Sequence, residues 1–384
     1  MRKITLFIAT LLLTAFNCTA QAQVSKTVAC TAGNLANVAA SYLTTVTNLT
    51  VTGTIDARDF KTMRDAMPLL AIIDLSGSTV AGYTGTDGTV GTTSTGYPTN
   101  GIPDFAFCEP STYYGKITLT SFIYPSSVAT IGESAFNNCI GLTGLLTIPT
   151  SVTTIGNDAF YNCSSFTGSL TIPTSTTTIG SAAFWGCRGF TGSLIIPSKM
   201  TTIGYTAFQS CRGFIGSLTI PSSVTTIDGF AFADCSGLTS IYALATKPID
   251  IKSSVSLAGI DKTIYLHVPV GSKARYAVAY GWKDFTNIVD DIVPSSLNEV
   301  LSNSISIFPN PATTSITISE LSRLVGDKTV TLSVVDALGS TLLVKDVEPS
   351  LNVLTLDVSA YKNGIYFVVI QTSNGSVVKR FVKE

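Results

Sequence analysis

The stretch LTIPTSVTTIGNDAFYNCSSFTGS, Leu146–Ser169, recurs with small changes every 24 residues between about Phe122 and Leu238. In each copy a proline closes an apolar run, and an apolar residue with glycine or, in the last copy, aspartate comes next. An Ala-Phe pair follows, and a cysteine stands three residues after the phenylalanine. These positions are held by Phe136, Phe160, Phe184, Phe208 and Phe232, and by Cys139, Cys163, Cys187, Cys211 and Cys235. Self-similarity at a fixed period of this size predicts a solenoid of stacked coils.

The spacing inside one repeat predicts two short strands and a turn. Leu170–Ile172 alternates apolar and polar residues like a half-buried strand, and Thr177–Ile179 predicts a second one. Phe184, Cys187 and Phe190 recur every three residues, which predicts one helical or 3₁₀ turn with these side chains facing the core. We therefore expect a mainly β solenoid with short helical turns.

Composition narrows the classes of function. The 384 residues are 45% hydrophobic and only 12% charged, which is too apolar for a disordered chain. The formal net charge of −1 argues against nucleic-acid binding, because no basic stripe is present to pair with phosphates. A single histidine leaves little basis for metal sites or histidine bases, and we expect no metal and no cofactor.

The N-terminus has the pattern of a secretory signal peptide over residues 1–22. Arg2 and Lys3 precede the short apolar run Ile4–Phe16, and Ala20–Ala22 offers a small-x-small cleavage site. Lipidation at Cys18 is the alternative, but Phe16 and Asn17 before it are bulkier than such signals usually allow.

Removing that segment takes Cys18 from the eight cysteines and leaves seven. Cysteines one coil apart would stack at the strand separation of about 4.7–4.9 Å, whereas a disulfide needs Cβ atoms about 3.5–4.5 Å apart. The spacing therefore predicts a column of buried thiols. Cys30 and Cys108 lie outside the column, and the sequence leaves open whether they pair.

The segments flanking the repeats predict caps. Residues 23–115 form irregular N-terminal repeats, in which Asp56 is a candidate N-cap for a helix through Met67. Ile102–Cys108 is a shortened copy of the repeat phrase, and the Gly/Thr-rich stretch Thr84–Gly101 predicts a mobile insertion or, less simply, a binding loop. Terminal repeats are expected to be irregular, because they cover an open apolar face.

The rest of the chain predicts a second module. Residues 116–291 contain the repeats and a C-terminal cap with a strand at Thr263–Pro269 and a helix at Ser272–Tyr280. Residues 292–302 form a linker, and 303–384 alternate strands and turns as in a small immunoglobulin-like β-sandwich.

Candidate binding residues occupy the positions that change from coil to coil. Constant positions build a solenoid core, whereas variable ones lie in rows on its surface. Aromatic residues and arginines are the types enriched at binding hot spots. At the variable positions these types are Tyr161, Trp185, Arg188, Tyr205 and Arg212. The alternative is that these are isolated surface residues with no ligand.

Catalytic patterns are absent from the sequence. It has no GxSxG elbow, HExxH helix, phosphate-binding loop or EF-hand loop. His267 lies in a capping strand, where a structural role is expected, and Asp290 and Asp291 are expected in a solvated turn. We predict a protein without enzymatic activity.

The phrase IPxSVTxIGxxAFxxCxxL resembles the BspA-like leucine-rich repeats of bacterial surface proteins, and the run Leu238–Asp291 is similar to that family's ending. The resemblance implies an exported, non-enzymatic surface protein that adheres to host matrix proteins or to cell-surface glycans or proteins. The alternatives are a structural surface scaffold without a specific ligand and a glycan-processing enzyme.

The C-terminal module resembles a type IX secretion sorting domain of Gram-negative bacteria. Its motifs are Ile307–Ala312, Leu356–Tyr366 and Val377–Lys383. The residues that carry them are Pro309, Asn310, Pro311, Gly364, Tyr366, Lys379 and Arg380. This resemblance implies partners in the outer-membrane secretion machinery, followed by attachment to surface lipopolysaccharide or by release.

Overall fold

A computed structural model of the chain describes residues 23–91, 94–253, 255–292, 305–319, 321, 330–336, 341–348, 351, 353–372 and 375–384. The predicted signal peptide and almost all of the predicted linker lie outside these residues. The domain bounds therefore stay predictions. No helix in the described ranges is long and apolar enough to cross a membrane.

The N-terminal region begins the stack of coils with a parallel sheet. Its elements are β1 Ser25–Cys30, α1 Leu35–Val38, β2 Asn48–Ile55, α2 Ala57–Asp65, β3 Ile72–Val80, β4 Tyr83–Gly85, β5 Thr95–Tyr97 and β6 Gly101–Ile102. Strands β1, β2 and β3 are parallel neighbours, as expected for successive coils of a solenoid.

Helix α2 confirms the predicted N-cap. The Asp56 carboxylate accepts from the Arg58 N–H at 2.9 Å, and the Asp59 carboxylate accepts from the Asp56 N–H at 2.8 Å. This reciprocal capping box satisfies backbone donors that the first turn would otherwise leave free. The helix ends two residues earlier than predicted, at Asp65.

The Gly/Thr-rich insertion is tied to the fold. Its strands β4 and β5 form a hairpin in which Tyr83 and Tyr97 stack with centroids 6.0 Å apart. Thr89 is buried, and its carbonyl accepts from the Arg64 guanidinium at 2.9 Å. These contacts hold the insertion against the first coils.

The regular coils pair in parallel with the predicted 24-residue offset. Their strands are β7 Ser121–Ile123, β8 Thr130–Ile131, β9 Thr154–Ile155, β10 Gly168–Ser169, β11 Thr178–Ile179, β12 Phe190–Thr191, β13 Leu194–Ile195, β14 Thr202–Ile203, β15 Ser217–Ile220, β16 Thr226–Ile227, β17 Ser240–Ala243 and β18 Asp250–Ile251. Ile131 pairs with Ile155, which pairs with Ile179. The predicted strand at Leu170–Ile172 is reduced to one bridge between Thr147 and Thr171, although its alternating burial holds.

The predicted helical turn has a different backbone. We call residues 132–140, 156–164, 180–188, 204–212 and 228–236 the turn face. Each of these segments contains two residues with positive φ, such as Ala182 at 52° and Gly186 at 70°. Because these residues reverse the peptide direction, the prediction of a continuous helical or 3₁₀ turn is wrong.

The reversal sends alternate N–H groups in different directions. Those of Ala182, Phe184 and Gly186 donate to carbonyls of the next coil at 2.8–2.9 Å. Those of Trp185 and Cys187 donate to carbonyls within the same coil at 3.0 and 3.3 Å. The turn face therefore has its own ladder of hydrogen bonds between coils, in addition to the strands.

The core confirms the inward prediction for the phenylalanines. Phe184 is fully buried, and its ring stacks between those of Phe160 and Phe208 at 5.3 and 5.4 Å. A second column stacks Phe166, Phe190 and Phe214 beside the first. Both columns belong to one core that continues through the N-terminal and C-terminal caps.

The cysteines form the predicted column of buried free thiols. The Cys163 Sγ donates to the Phe136 carbonyl at 3.0 Å, and the Cys187 Sγ to the Phe160 carbonyl at 3.1 Å. Each thiol thus bonds to the preceding coil as well as filling space. Cys30 and Cys108 are also buried and free.

Among the described residues, the strand ladder that contains Ile131, Ile155 and Ile179 is interrupted at one place. Ile203 pairs with Ile227, but among the described residues it does not pair with Ile179 of the preceding coil. A separate five-stranded sheet likewise begins at β13. The turn face is continuous across this junction. On the other side of the two coils, the Gly216 N–H donates to the Gly192 carbonyl at 3.1 Å and the Ser217 N–H to the Ser193 Oγ at 3.0 Å, so only the pairing of the strand segments is lost.

The C-terminal cap consists of β19 Tyr265–Pro269, α3 Lys273–Tyr276 and β20 Asn287–Ile292. The helix predicted over Ser272–Tyr280 is only one turn long. Trp282, farther along the predicted helical region, is fully buried and donates through Nε1 to the Ile249 carbonyl at 2.8 Å. This bond fastens the cap to the last coil.

The C-terminal module is a small β-sandwich, as predicted. Its strands are β21 Ser306–Phe308, β22 Ser315–Ser319, β23 Val330–Asp336, β24 Thr341–Val347, β25 Val353–Asp357, β26 Gly364–Thr372 and β27 Gly375–Lys383. They form antiparallel sheets in the orders β21-β22-β25 and β24-β23-β26-β27, and both sheets contribute to one core. Sheets of three and four strands are the arrangement of a constant-type immunoglobulin sandwich.

Replacing Phe184 by Ala should lower the free energy of unfolding by about 3–5 kcal/mol, because it leaves a cavity between two stacked rings. Urea denaturation measures the change. Ile215→Ala is the control, since Ile215 is 63% exposed and its loss should cost less than about 0.5 kcal/mol. Equal midpoints for the two variants would contradict the core position of Phe184.

Alkaline pH should destabilise the solenoid. Burial raises the pKa of Cys163, Cys187 and Cys211 well above 9.0, so the folded state keeps protons that the unfolded state loses. Above about pH 9 each such thiol should lower the free energy of unfolding by about 1.4 kcal/mol per pH unit. Lys116 acts in the opposite direction, because burial lowers its pKa to about 8.

Urea denaturation between pH 8 and 11 under reducing conditions measures this slope. Cys187→Ala should make it shallower by the contribution of one thiol. A free energy of unfolding that stayed constant over this pH range would contradict the burial of the thiol column.

Candidate binding face

The predicted binding residues lie in three rows of the turn face. Residues at the same position of successive coils line up in a row along the solenoid. Tyr161 and Trp185 belong to the row of residues that directly follow the phenylalanines in sequence. Arg188 and Arg212 share the row after the cysteines, and Tyr205 lies in the row after the glycines. The fold therefore brings all five residues to one side of the molecule.

Tyr161 and Trp185 form a stacked pair. Their ring centroids are 4.4 Å apart and their planes differ by 6°, so one face of each ring is covered by the other. Both are half-buried. The row itself is buried at its two ends, where Asn137 and Ala233 stand, so the expectation that every variable position lies on the surface is wrong there. One face of each ring is therefore closed to a ligand.

Two arginines add positive charge to a face that also carries the carboxylates of Glu133, Asp158, Asp228 and Asp234. Arg188 is exposed and makes no ion pair with any described residue. Arg212 lies 3.8 Å from Asp234, with both side chains about half exposed, so this pair is loose and screened. Tyr205 is 51% exposed and packs edge-on against Phe230, with centroids 5.9 Å apart.

The sequence reasoning missed an apolar patch at the N-terminal end of the turn face. Tyr114 is 78% exposed, Ile117 63% and Ile140 43%. Together with Tyr113 they line a pocket of about 400 Å³ that Asn138 and other polar residues complete. Ile140 occupies the row of Arg188 two coils earlier. Adjacent tyrosines in the irregular stretch before Phe122 were the available sequence clue.

The loop that carries these tyrosines is held in place by Glu109. One carboxylate oxygen accepts from the N–H and hydroxyl of Ser111 and from those of Thr112, at 2.6–3.1 Å. These bonds hold the pKa of Glu109 at about 2. Tyr113 has a φ of 57°, and the loop closes with a bridge between Cys108 and Gly115.

A row of asparagine side chains connects the loop with the aromatic pair. The Asn138 Nδ2 donates to the Tyr113 carbonyl at 3.0 Å, and the Asn162 Nδ2 donates to the Asn138 Oδ1 at 2.8 Å. The next residue of the row is Gly186, where an added Cβ would lie 3.5 Å from the Asn162 Oδ1 and the backbone φ is 70°. The row therefore ends in a notch beside Trp185.

The histidine and the acidic pair that the sequence offered as catalytic candidates lie in the C-terminal cap. The His267 Nδ1 lies 2.8 Å from the Asp291 carboxylate, and the His267 ring stacks on Tyr242 at 4.3 Å. Asp290 and Asp291 lie in β20, so the expectation of a turn is wrong. Among the described residues no three His, Cys, Asp or Glu side chains form a group that could hold a metal ion.

The predicted sorting residues converge on the last strand of the sandwich. Asn310 lies between Pro309 and Pro311, and it donates through Nδ2 to the Arg380 carbonyl at 3.2 Å. Its Oδ1 accepts from the Val382 N–H at 2.9 Å. Gly364 begins β26, and Tyr366 stacks on Phe381 at 5.5 Å. Lys379 and Arg380 both lie in β27.

Two family models match the chain in the regions that the fold separates. Residues 107–239 match the BspA type leucine rich repeat region, in six copies, and residues 306–384 match the secretion system C-terminal sorting domain. The solenoid carries a BspA-type leucine-rich repeat region. The sorting domain marks the chain for type IX export, to the cell surface or into the medium. Leucine-rich repeat families of this kind are generally non-catalytic.

Solved structures similar to the chain include two leucine-rich repeat proteins. That of T. pallidum is 23% identical, covers 48% of this chain and 70% of its own, and has a TM-score of 0.33. That of Bacteroides ovatus is 17% identical, covers 69% and 68%, and has a TM-score of 0.32.

A third similar structure is a DUF3244 family protein of Bacteroides vulgatus with an immunoglobulin-like β-sandwich fold. It is 20% identical, covers 21% of this chain and 84% of its own, and has a TM-score of 0.18. No curated protein matches the chain.

Deleting residues 303–384 should leave the BspA-type region in the periplasm, because the sorting domain is what directs passage through the outer membrane. Fractionation of cells that express the full and the truncated chain measures this. The full chain with Tyr265→Ala/Arg275→Ala, two exposed residues of the cap, is the control and should leave surface display intact. Surface display of the truncated chain would contradict the role of the domain.

Proposed function

We propose that this exported surface protein binds other molecules through its turn face and has no catalytic activity. The observation that carries the proposal is the position of the variable residues. The aromatic pair Tyr161–Trp185, the arginines Arg188 and Arg212, and Tyr205 share one side of a stack whose other repeated positions are core.

The turn face also has the rigidity that specific binding requires. Backbone hydrogen bonds join every coil to the next along it, so its side chains are presented without a large loss of freedom on binding. Trp, Tyr and Arg are the residues that most often dominate binding energy at such surfaces.

The absence of catalysis is supported by the state of the nucleophiles. The stacked thiols are buried, and burial raises their pKa, so they are poor nucleophiles at neutral pH. His267 is paired with Asp291 in the cap, away from the turn face.

A protein partner fits the geometry better than a glycan. Sugars stack on the open faces of aromatic rings, whereas Tyr161 and Trp185 cover one face of each other. By the resemblance to BspA-like proteins, host matrix proteins and proteins of other cells are the expected partners. Contact with the outer-membrane secretion machinery and attachment to surface lipopolysaccharide belong to the same proposal.

The test is binding of the purified chain to an array of matrix proteins and glycans. The double variant Trp185→Ala/Arg188→Ala should weaken the strongest interaction by about 30-fold, as expected for hot-spot residues. Because Trp185 is half-buried and stacked, the variant should also lose about 1 kcal/mol of stability.

Tyr265→Ala/Arg275→Ala is the matched control, because it removes an exposed aromatic residue and an exposed arginine from the cap. It should bind like the unchanged protein. Equal binding by both double variants would contradict the turn-face site, and no binding by any form would favour a structural scaffold. Hydrolysis of an arrayed glycan would favour the enzyme alternative.

A further inference from the structure

The two ends of the turn face differ in chemistry. At the N-terminal end, Tyr113, Tyr114, Ile117 and Ile140 surround the pocket of about 400 Å³. This volume is large enough to receive a large apolar side chain. Exposed apolar groups clustered around a concavity gain free energy when a partner covers them.

This pocket is formed before any partner arrives. The Glu109 carboxylate holds Ser111 and Thr112, and the Asn138 amide holds the Tyr113 carbonyl. The Tyr113 ring packs edge-on against Phe105 with centroids 5.7 Å apart. A pocket with a fixed wall costs little conformational entropy to occupy.

Farther along the same face, in the third and fourth coils, the positions that follow the cysteines are cationic. Arg188 has no ion-pair partner among the described residues, and Arg212 is held only loosely by Asp234 at 3.8 Å. A guanidinium with free donors binds carboxylates in bidentate geometry. These two positions therefore complement a negative charge.

Hydrogen-bonding groups lie between the two ends. No described residue donates to the Asn162 Oδ1, which faces the notch at Gly186. A backbone N–H of a chain lying along the face could donate to it. A partner that complements this face must present an apolar group, an N–H donor and an anionic group in a line. A polypeptide can present all three, as an apolar side chain, a backbone amide and a carboxylate.

The coil spacing sets the distance between these groups in the partner. Ile140, Arg188 and Arg212 occupy the same position of coils one, three and four. At about 4.8 Å per coil, Ile140 lies about 10 Å from Arg188 and about 14 Å from Arg212. An extended chain advances about 3.1–3.3 Å per residue. Residues three apart share a face in the polyproline II conformation, and residues four apart share a face in a β-strand, so these distances correspond to about three and four residues.

We propose that the turn face binds an extended polypeptide segment with one large apolar residue and a carboxylate three or four residues away. The apolar side chain enters the pocket beside Tyr114 and Ile140, and the carboxylate pairs with Arg188 or Arg212. This inference rests on the proposed function and specifies its partner.

The test uses fluorescein-labelled peptides in a Gly/Ser background, each with one Leu and one Asp separated by one to seven positions, in both orders. Fluorescence anisotropy measures their binding to the purified full chain. Affinity should be highest at separations of three and four and at least 5-fold weaker at one and seven. Replacing Asp by Asn, or raising the salt from 50 to 500 mM, should remove the preference.

Variants assign the two contacts. Arg188→Gln should abolish the difference between Asp and Asn peptides at a separation of three, and Ile140→Ser should abolish the difference between Leu and Ala peptides. Arg275→Gln, which changes an exposed arginine of the cap, should leave both differences intact.

Equal affinity at all separations, or no binding up to millimolar peptide, overturns this inference. If the array interaction is nevertheless lost in Trp185→Ala/Arg188→Ala, the turn face binds a partner of another class and the proposed function stands. If that interaction is unaffected as well, both proposals fail.

Discussion

The alternation of hydrogen bonds along the turn face is the constraint on which the solenoid depends. Two residues of positive φ in each coil send every second N–H toward the next coil, where a carbonyl accepts it. The cysteine thiols extend the same ladder by donating to the phenylalanine carbonyls of the preceding coil. A buried polar group without a partner is costly, so this pattern makes a coil stable only in the presence of its neighbours.

That constraint also separates core from function. The phenylalanine and cysteine columns lie directly beneath the ladder, and a change there disturbs both neighbouring coils. The side chains in the rows of Tyr161 and Arg188 take no part in the backbone ladder, so Trp185 can follow Tyr161 and Arg212 can follow Arg188 without disturbing the stack. Chemical variety is therefore concentrated on a surface whose geometry is held constant by the layer below it.

Much of this arrangement follows from the sequence. The 24-residue period, the inward phenylalanines, the thiol column and the Asp56 cap were all predictable, because periodic apolar residues and capping residues report local energetics directly. The backbone of the turn was not, because Ser134, Asp158 and Ala182 occupy positive φ without the glycine that usually indicates it. Here the ladder outweighs the intrinsic preference of the residue.

The candidate site was predictable to a similar degree. Comparing coils identified Tyr161, Trp185 and the arginines, since variation within a repeat marks its surface. The comparison of coils did not identify the stacking of Tyr161 on Trp185, which leaves both rings half-buried, because the orientation of the rings depends on the spacing of the coils. The pocket at Tyr113 and Tyr114 lies where the repeat is irregular, so no column exists there to compare.

The missing strand pairing between Ile179 and Ile203 has a mechanical consequence. Tension or shear on a protein at the cell surface is borne by every bond between coils. Here it is resisted by the turn-face ladder, the core and the bonds of Gly216 and Ser217 to the preceding coil, without the strand pairing present between other coils. Bending is therefore softest at this junction, with the turn face acting as the hinge line. Arg188 and Arg212 lie on the turn face in the two coils that meet at this junction, so bending about the turn face changes their separation little, while the opposite side of the two coils opens or closes.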